Sequence, residues 1–378
     1  MLHKRILILH SSSDLYGAGR SLLRSSKALV NEGYHIKVLL SDDGPLCESI
    51  KELGGEVEIL RLGILRKKYL KLLGLINRLY YLSAAIWKIY KMIKRENYPI
   101  VYSNTSTVLA GAYAAKLAKV KHVNHVREIV LSPQVYKKFI TSSLKQTSDL
   151  IICVSNAVLE NYPPLKAAGT AKVIYNGIDF EKYYSNQKNE NEPFTVTTIG
   201  RINPGKGQLF FLKVINEIIK EYGNVNIKFQ IVGDPYTGYE YILKEILDYI
   251  EQENLGDYVD YLGFRKDIPE ILANSDLFIL PSNEPDSLPN VVLEAMSSSL
   301  PVIATLSGGA SEMVVLGKSG YLVEIDNIEQ TKNAVMQLYF NRNESKAMGL
   351  EGRKIVEQKF SLERYEQELL KAINALYQ

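Results

Sequence analysis

Cysteine is nearly missing from this chain of 378 residues: only Cys47 and Cys153 occur, far apart and with no spacing for a metal or redox motif. A disulfide framework is thereby excluded, and the usage suits a reducing cytoplasm. Histidine is scarce as well, with five residues scattered along the chain. No Asp-x-Asp pair occurs, so no metal-holding cluster is legible and no metal site is expected. No run approaches the roughly 20 uncharged apolar residues that a membrane span requires, which points to a soluble or peripheral protein. The apolar run from Ile6 to Leu9 is too short for a signal-peptide core and lacks a small-residue cleavage pattern, so export is not expected. Repeats of short period and low-complexity tracts are absent too.

What is present is ordinary globular material, 46% apolar and 23% charged, in a chain longer than one hydrophobic core usually grows. Two domains with a cleft between them are expected. The net charge of +3 hides an asymmetry. Residues 1–180 hold 26 Lys and Arg against 13 Asp and Glu, whereas residues 181–378 hold 19 against 29. Either this is a solvated dipole, or the N-terminal surface attracts anionic lipid or an anionic acceptor.

The order of segments sets the fold class. RILILH (5–10) reads as a buried strand, a Gly/Ser-rich loop follows, RSLLRSSKALVNEG has helical spacing up to Gly33, and HIKVLL is a second strand. The same beat returns at 100–102, 122–126, 150–154 and 172–175. After the polar stretch EKYYSNQKNENEPF it restarts with FTVTTIG, IKFQIVG, VDYLG, DLFILP, PVIAT and GYLVE. Strands alternating with helices specify parallel sheets, so two doubly wound, Rossmann-like α/β domains in tandem are predicted. Their expected limits are 1–180, a linker at 181–193, and 194–360, with a terminal helix over about 361–378 crossing back to the first domain.

Segment 65–97 departs from this pattern, with nine basic residues and no acid before Glu96. Leu72, Ile76, Leu79, Ile86, Tyr90 and Ile93 recur at roughly helical spacing, with Tyr80, Tyr81 and Trp87 among them. Two readings stand: an interfacial helix on anionic membrane, or a pair of core-packing helices whose exposed face is basic. No nucleic-acid-reading module accompanies the charge, so a nucleic-acid partner is not expected.

In open parallel sheets, ligands bind outside the carboxyl ends of strands, beside helix starts whose free N–H groups and dipole favour anions. DLFILP ends at Pro281, so PSNEPDSLPNVVLEAM (281–296) occupies such an edge. A helix start at Asn290 would place the N–H groups of 288–291 toward a phosphate and Glu294 in the first turn, within reach of a ribose diol. Alone, Glu294 reads first as an acid favoured by the helix dipole. FTVTTIG is followed by RINPGKGQ, which puts Arg201 and Lys206 on the matching loop of the domain's first strand. Two such cations are either solvated or poised for a diphosphate leaving group.

VIYNGID (173–179), IGRINPGKG (199–207), LGFRKDIPEILANSDLFILPS (262–282), DSLPNVVLEAM (286–296), PVIATLSGGASE (301–312) and GYLV (320–323) occur in that order. This set resembles family 4 of the retaining, nucleotide-sugar-dependent glycosyltransferases, whose fold is GT-B, two Rossmann-like domains facing across a cleft. The N-terminal half is similar more loosely: YGAGRSLL (16–23), with Gly17 and Gly19, resembles the family's glycine loop, and HVRE (125–128) its histidine-bearing loop. The resemblance implies that Arg201 and Lys206 hold the donor diphosphate, near Leu288 and Asn290, and that Glu294 binds the ribose. It implies that Asp286, where the family usually has Glu, contacts the donor sugar, and that Phe264 and Arg265 lie beside the base. It also implies that His125 faces the donor sugar, with Arg127 and Glu128 on the acceptor side. On its own sequence, His125 reads equally well as a packed core histidine. Gly19 stands where the family commonly has an acid, and both departures bear on sugar identity.

The implied activity is metal-independent, retaining transfer of a hexose or deoxyhexose. The donor is a UDP- or GDP-linked sugar, a co-substrate with no further cofactor, and the acceptor is a glycan or lipid-linked saccharide in surface polysaccharide or glycoconjugate biosynthesis. The expected place is the cytoplasm, peripheral on the inner face of the plasma membrane. A sugar-nucleotide epimerase of the same fold is the alternative, and a non-enzymatic lipid-binding module a third class. A nicotinamide dehydrogenase fails in detail, because Leu22 stands at the third glycine position and residues Ser11 to Tyr16 separate the first strand from Gly17.

Overall fold

The computed structural model describes residues 4–64, 72–186, 192–223 and 225–377. They fall into two compact units, Met1–Asn176 with Glu363–Gln378, and Gly177–Leu362. Residues 187–191 of the expected linker lie outside the described residues, and a single 3₁₀ turn, Phe180–Lys182, leads into it.

The first unit is built on seven parallel strands: β1 (Arg5–His10), β2 (His35–Leu40), β3 (Glu56–Ile59), β4 (Ile100–Ser103), β5 (Lys121–Val126), β6 (Leu150–Cys153) and β7 (Ala171–Val173). Their order is β3-β2-β1-β4-β5-β6-β7, so the direction of winding reverses between β1 and β4. Strand β1 is buried from Ile6 to His10, as a central strand covered on both faces must be. Strand β3 has no counterpart in the sequence reading. Its segment, EVEI, is a mostly exposed sheet edge whose two acids erase the apolar signal. The terminal helix Leu362–Asn374 is tied to this unit. The Tyr365 and Ser25 hydroxyls lie 2.6 Å apart, and the Tyr34 hydroxyl donates to Asn374 Oδ1 at 2.5 Å.

The second unit contains β8 (Phe194–Ile199), β9 (Ile227–Val232), β10 (Val259–Gly263), β11 (Leu277–Leu280), β12 (Val302–Thr305) and β13 (Gly320–Val323). All are parallel, in the order β10-β9-β8-β11-β12-β13, and the winding reverses between β8 and β11. Helix Gln208–Tyr222 covers one face with Phe211, Leu212, Ile215 and Ile218, and Phe211 meets Phe229 of β9 edge-to-face at 5.8 Å. Each fully buried side chain of this size contributes about 1.5–3 kcal/mol relative to exposure.

Segment 65–97 resolves in part. Residues 65–71 lie outside the described residues, and Leu72–Glu96 is one helix of 25 residues rather than a pair. Its buried side is Leu82, Ala85, Ile89, Met92 and Ile93, packed on helix Leu109–Ala118. Of the stripe expected from the spacing, Ile93 belongs to this buried side and Ile86 and Tyr90 are half-buried. Ile76 and Leu79 are exposed, together with Tyr80 and Trp87. The misreading is physical: a helix apolar on two faces shows helical spacing in more than one phase. Among the described residues, no helix is long and apolar enough to cross a membrane.

Candidate active site

The reversal of strand order between β8 and β11 opens a crevice at their carboxyl ends, the place where doubly wound sheets bind ligands. Two loops meet there. After β8, Asn203 Oδ1 accepts the Gly205 N–H at 3.0 Å, turning the chain through Pro204–Lys206 into helix Gln208–Tyr222. After β11, the N–H groups of Asn283 and Glu284 donate to the Gly205 carbonyl at 3.0 and 3.3 Å. The hinge is Gly207, at φ +71°. A β-carbon there would lie 1.8 Å from the Pro281 carbonyl oxygen, so only glycine permits this approach.

The loops bring Lys206 and Asp286 together. Lys206 Nζ lies 2.6 Å from Asp286 Oδ2, and the Ser282 hydroxyl donates to the same oxygen at 3.3 Å. Both side chains stay 27% exposed, so the pair faces solvent and an incoming anion can compete for the ammonium. A third loop steadies the acid from β12: Gly309 N–H donates to the Asp286 carbonyl at 2.8 Å, and Thr305 Oγ1 to the Ser282 carbonyl at 2.8 Å. Arg201 lies on the same edge, its guanidinium 5.1 Å from the centre of the Tyr236 ring.

Helix Asn290–Ser297 begins at Asn290, as expected, with Pro289 before it and no side-chain cap. Leu288 is buried beneath that start. Glu294, however, is the fifth residue of the helix and not in its first turn, which contains no acid. It is 7% exposed. The simple dipole explanation weakens with that position, because the field of a helix end fades beyond the first turn. Phe264 and Arg265 follow β10, on the same carboxyl edge. Phe264 is half exposed, its N–H donating to Asp234 Oδ1 at 3.1 Å. Arg265 donates from Nε to Asp267 Oδ1 at 2.8 Å, and this contact holds the Asp267 carboxyl down at about 2.

The first unit carries its own polar cluster at the carboxyl ends of β1, β4 and β5. His125, fully buried on β5, receives a hydrogen bond at Nδ1 from Arg127 at 3.1 Å and lies 2.5 Å from the Tyr102 hydroxyl. Guanidinium nitrogens only donate, so the network assigns the lone pair to Nδ1 and the proton to Nε2. Burial first, and the Arg127 charge second, hold the His125 pKa well below its ordinary value, leaving a neutral imidazole. Its Nε2 has no hydrogen-bond partner among the described residues. The remaining Arg127 nitrogens donate to Asn104 Oδ1 and Asn176 Oδ1, each at 2.9 Å. Asn104 Nδ2 reaches His10 Nδ1 and the Ala18 carbonyl, both at 3.3 Å.

Glu128 turns toward Ser106, accepting from its N–H at 3.1 Å, its hydroxyl at 2.8 Å, and the Arg127 N–H at 3.2 Å; burial still raises its pKa. Gly17 and Gly19 are in the first turn of helix Gly17–Asn31, which begins three residues before the expected start at Arg20. The close approach is at Gly19, where a β-carbon would come 1.9 Å from the Asp14 carbonyl oxygen.

Several participants escaped the sequence reading. Ser282, Thr305 and Gly309 lie in or beside quoted motifs and were legible there. Tyr102, Asn104, Asn176, Ser25 and Tyr365 carry no local signal, because only the fold brings such distant residues together.

Residues 16–182 match the model described as Glycosyltransferase Family 4, and residues 193–341 that of Glycosyl transferases group 1. The chain is 29% identical over 368 residues to the UDP-Gal:alpha-D-GlcNAc-diphosphoundecaprenol alpha-1,3-galactosyltransferase of Escherichia coli, covering 89% of this chain and 88% of that one. Among solved structures, Anabaena HepE in complex with UDP and glucose superposes with a TM-score of 0.83 at 24% identity, covering 99% of this chain and 100% of the other. A glycosyltransferase from Rickettsia africae gives 0.82 at 20%, covering both chains fully. With both halves matched in order and two parallel-sheet units in this topology, the chain belongs to glycosyltransferase family 4 and has the GT-B fold.

Proposed function

We propose that this glycosyltransferase is a retaining, metal-independent hexosyltransferase. It moves a hexose or deoxyhexose from a UDP- or GDP-linked donor to a glycan or lipid-linked saccharide in surface polysaccharide or glycoconjugate biosynthesis. The observation that carries the reading is the solvent-facing Lys206–Asp286 pair at the β8/β11 reversal, beside the start of helix Asn290–Ser297. A donor diphosphate takes Lys206 from Asp286, with Arg201 and the helix start completing its charge balance. The freed Asp286 carboxylate holds the sugar, Glu294 the ribose, and Phe264 with Arg265 flank the base. As the bond from the anomeric carbon to the phosphate oxygen breaks, the acceptor oxygen attacks from the same face and passes its proton to the departing phosphate. Lys206 and Arg201 stabilise the charge that grows there. In the first unit, the neutral His125 keeps its proton on Nε2, with Arg127 and Tyr102 holding the ring.

The E. coli relative, by its name, acts on a diphosphoundecaprenol-linked sugar, which supports a lipid-linked acceptor here. The test is incubation with UDP- and GDP-linked sugars and a polyprenyl-diphosphate saccharide in excess EDTA, following nucleotide release and product anomer. We expect turnover of one donor class, indifference to EDTA, and a product that keeps the donor's anomeric configuration. A rate restored only by Mg²⁺ or Mn²⁺, or an inverted product, would reject the mechanism; a sugar nucleotide converted without acceptor would indicate an epimerase.

The outward side of helix Leu72–Glu96 supports peripheral binding to the inner face of the plasma membrane. Trp87 stacks on Tyr90 at 5.3 Å, Lys91 lies 5.2 Å above the Trp87 ring, and Lys88, Lys94 and Arg95 are exposed nearby. Each cation near an anionic surface contributes about 1 kcal/mol, and the aromatic rings suit the headgroup region. Co-sedimentation with phosphatidylglycerol vesicles is therefore expected to exceed that with phosphatidylcholine and to weaken with salt. Equal recovery with both at low salt would show a merely solvated face.

A further inference from the structure

The first unit contains a cavity of about 390 Å³ that none of the residues discussed so far explains. Its size is in the range of small-molecule sites, roughly 300–1,000 Å³. It opens at the carboxyl ends of β1, β2 and β3, where Ser11, Ser41 and Arg61 follow the three strands, and is closed by Arg78 and Tyr81 of helix Leu72–Glu96. The wall is a built one. Gly63, at φ +64°, brings the loop after β3 so close to that helix that a β-carbon would lie 2.3 Å from the Leu82 nitrogen. Leu62, Ile64 and Leu82 are buried beneath the contact.

The lining is cationic and polar. Arg61 donates to the Tyr81 hydroxyl at 3.1 Å and lies 5.5 Å from the centre of its ring, and it forms no ion pair among the described residues. The one carboxylate in the lining, Asp42, already accepts the Ser13 hydroxyl at 2.9 Å. Ser41 Oγ is buried without a hydrogen-bond partner among the described residues. Two guanidiniums and an unsatisfied hydroxyl at one cavity suit a phosphate ester. The same turns of helix that send Arg78 and Tyr81 into the cavity leave Ile76, Leu79 and Tyr80 exposed outside it. One helix thus closes an anion pocket and presents exposed apolar side chains, a pairing that matches an amphiphile whose phosphate carries a hydrocarbon tail.

We propose that this cavity is the acceptor subsite for the phosphate or diphosphate of a lipid-linked saccharide, held by Arg61 and Arg78. The proposal rests on the acceptor class inferred above and assigns the residues that would recognise it. Farnesyl diphosphate in detergent and free inorganic diphosphate serve as probes, titrated by calorimetry with UDP saturating the donor site. The comparison is between wild type, Arg61→Gln/Arg78→Gln and Arg61→Lys/Arg78→Lys. We expect wild type to bind farnesyl diphosphate more tightly than inorganic diphosphate. The double Gln variant should lose about 10- to 150-fold, as for a charge-assisted hydrogen bond, and the double Lys variant should recover part of that loss. UDP affinity in each variant reports whether the fold is intact. Equal farnesyl diphosphate affinity in wild type and the double Gln variant would overturn the proposal. So would displacement of the probe by phosphatidylglycerol vesicles but not by a polyprenyl-diphosphate saccharide, which would make the cavity a phospholipid headgroup site. Binding is read without turnover, so absence of sugar transfer would reject the enzymatic reading while leaving this result separately visible.

Discussion

Asp286→Ala is expected to lower sugar transfer by about 10²–10³-fold while binding the nucleoside diphosphate at least as tightly as the wild type. Lys206→Ala is expected to lose both. The contrast follows from the geometry of the pair. Lys206 Nζ and Asp286 Oδ2 lie 2.6 Å apart in the absence of ligand, so the carboxylate and an incoming diphosphate compete for one ammonium. Removing Asp286 ends that competition and removes a negative charge from beside the diphosphate. Nucleotide affinity is therefore retained or improved, whereas the sugar loses the group that positions it where positive charge develops. Removing Lys206 deletes a charge-assisted hydrogen bond to the diphosphate, which costs about 1.5–3 kcal/mol, or roughly 10- to 150-fold in affinity. Calorimetry with UDP and GDP, beside a transfer assay, checks both variants. A loss of nucleotide affinity in Asp286→Ala as severe as in Lys206→Ala would reassign the acid from sugar to phosphate.

A second large effect is expected on acidification. His10 and His122 are buried, and burial lowers each pKa to about 4; His125 is held well below its ordinary value for the same reason. These imidazoles stay neutral in the folded first unit but titrate near 6.5 once unfolded. Between those values the unfolded chain binds more protons, so stability is present above about pH 6.5 and is lost as pH falls toward 4. A tenfold difference in proton affinity between folded and unfolded chain is worth about 1.4 kcal/mol, so one such histidine contributes on the order of 3 kcal/mol. His10 and His122 together reach the lower end of the stability of an ordinary domain, about 5–15 kcal/mol, and His125 acts in the same direction. Glu128 works in the opposite sense, since its raised pKa favours the folded state as acid is added, but it is one group against three. Urea unfolding at pH 7, 6, 5 and 4 should show the first unit failing early. His122→Gln, which removes a histidine outside the candidate site, should flatten the dependence by on the order of 3 kcal/mol. A midpoint unchanged from pH 7 to 4 would contradict the burial.

Both sheets were legible wherever strands are central, because RILILH and DLFILP carry continuous apolar runs and FTVTTIG is β-branched from Thr195 to Ile199. The edge strand EVEI was not, since three of its four residues are exposed to water. In the candidate site, Lys206, Asp286 and Asn290 could be placed on one sheet edge from loop position alone. Their ion pair could not, because contact across 80 residues depends on the zipper of Asn283 and Glu284 onto the Gly205 carbonyl. Glu294 was placed in the first turn although the helix starts at Asn290 as read; at about 3.6 residues per turn a fifth residue already belongs to the second. The network behind His125 lay beyond sequence reasoning altogether. It joins Ser25, Tyr102, Asn104, Arg127, Asn176 and Tyr365, which come from five separate stretches of chain.

The central claim is that the β8/β11 edge of the second unit holds the donor diphosphate. A crystal structure with UDP bound tests it most directly. The expected result is a diphosphate within hydrogen-bond distance of Lys206 Nζ and the N–H groups at 288–291, with the ribose hydroxyls on Glu294 and Asp286 released from Lys206. A nucleotide bound elsewhere, or bound here with the Lys206–Asp286 pair still closed, would contradict the account.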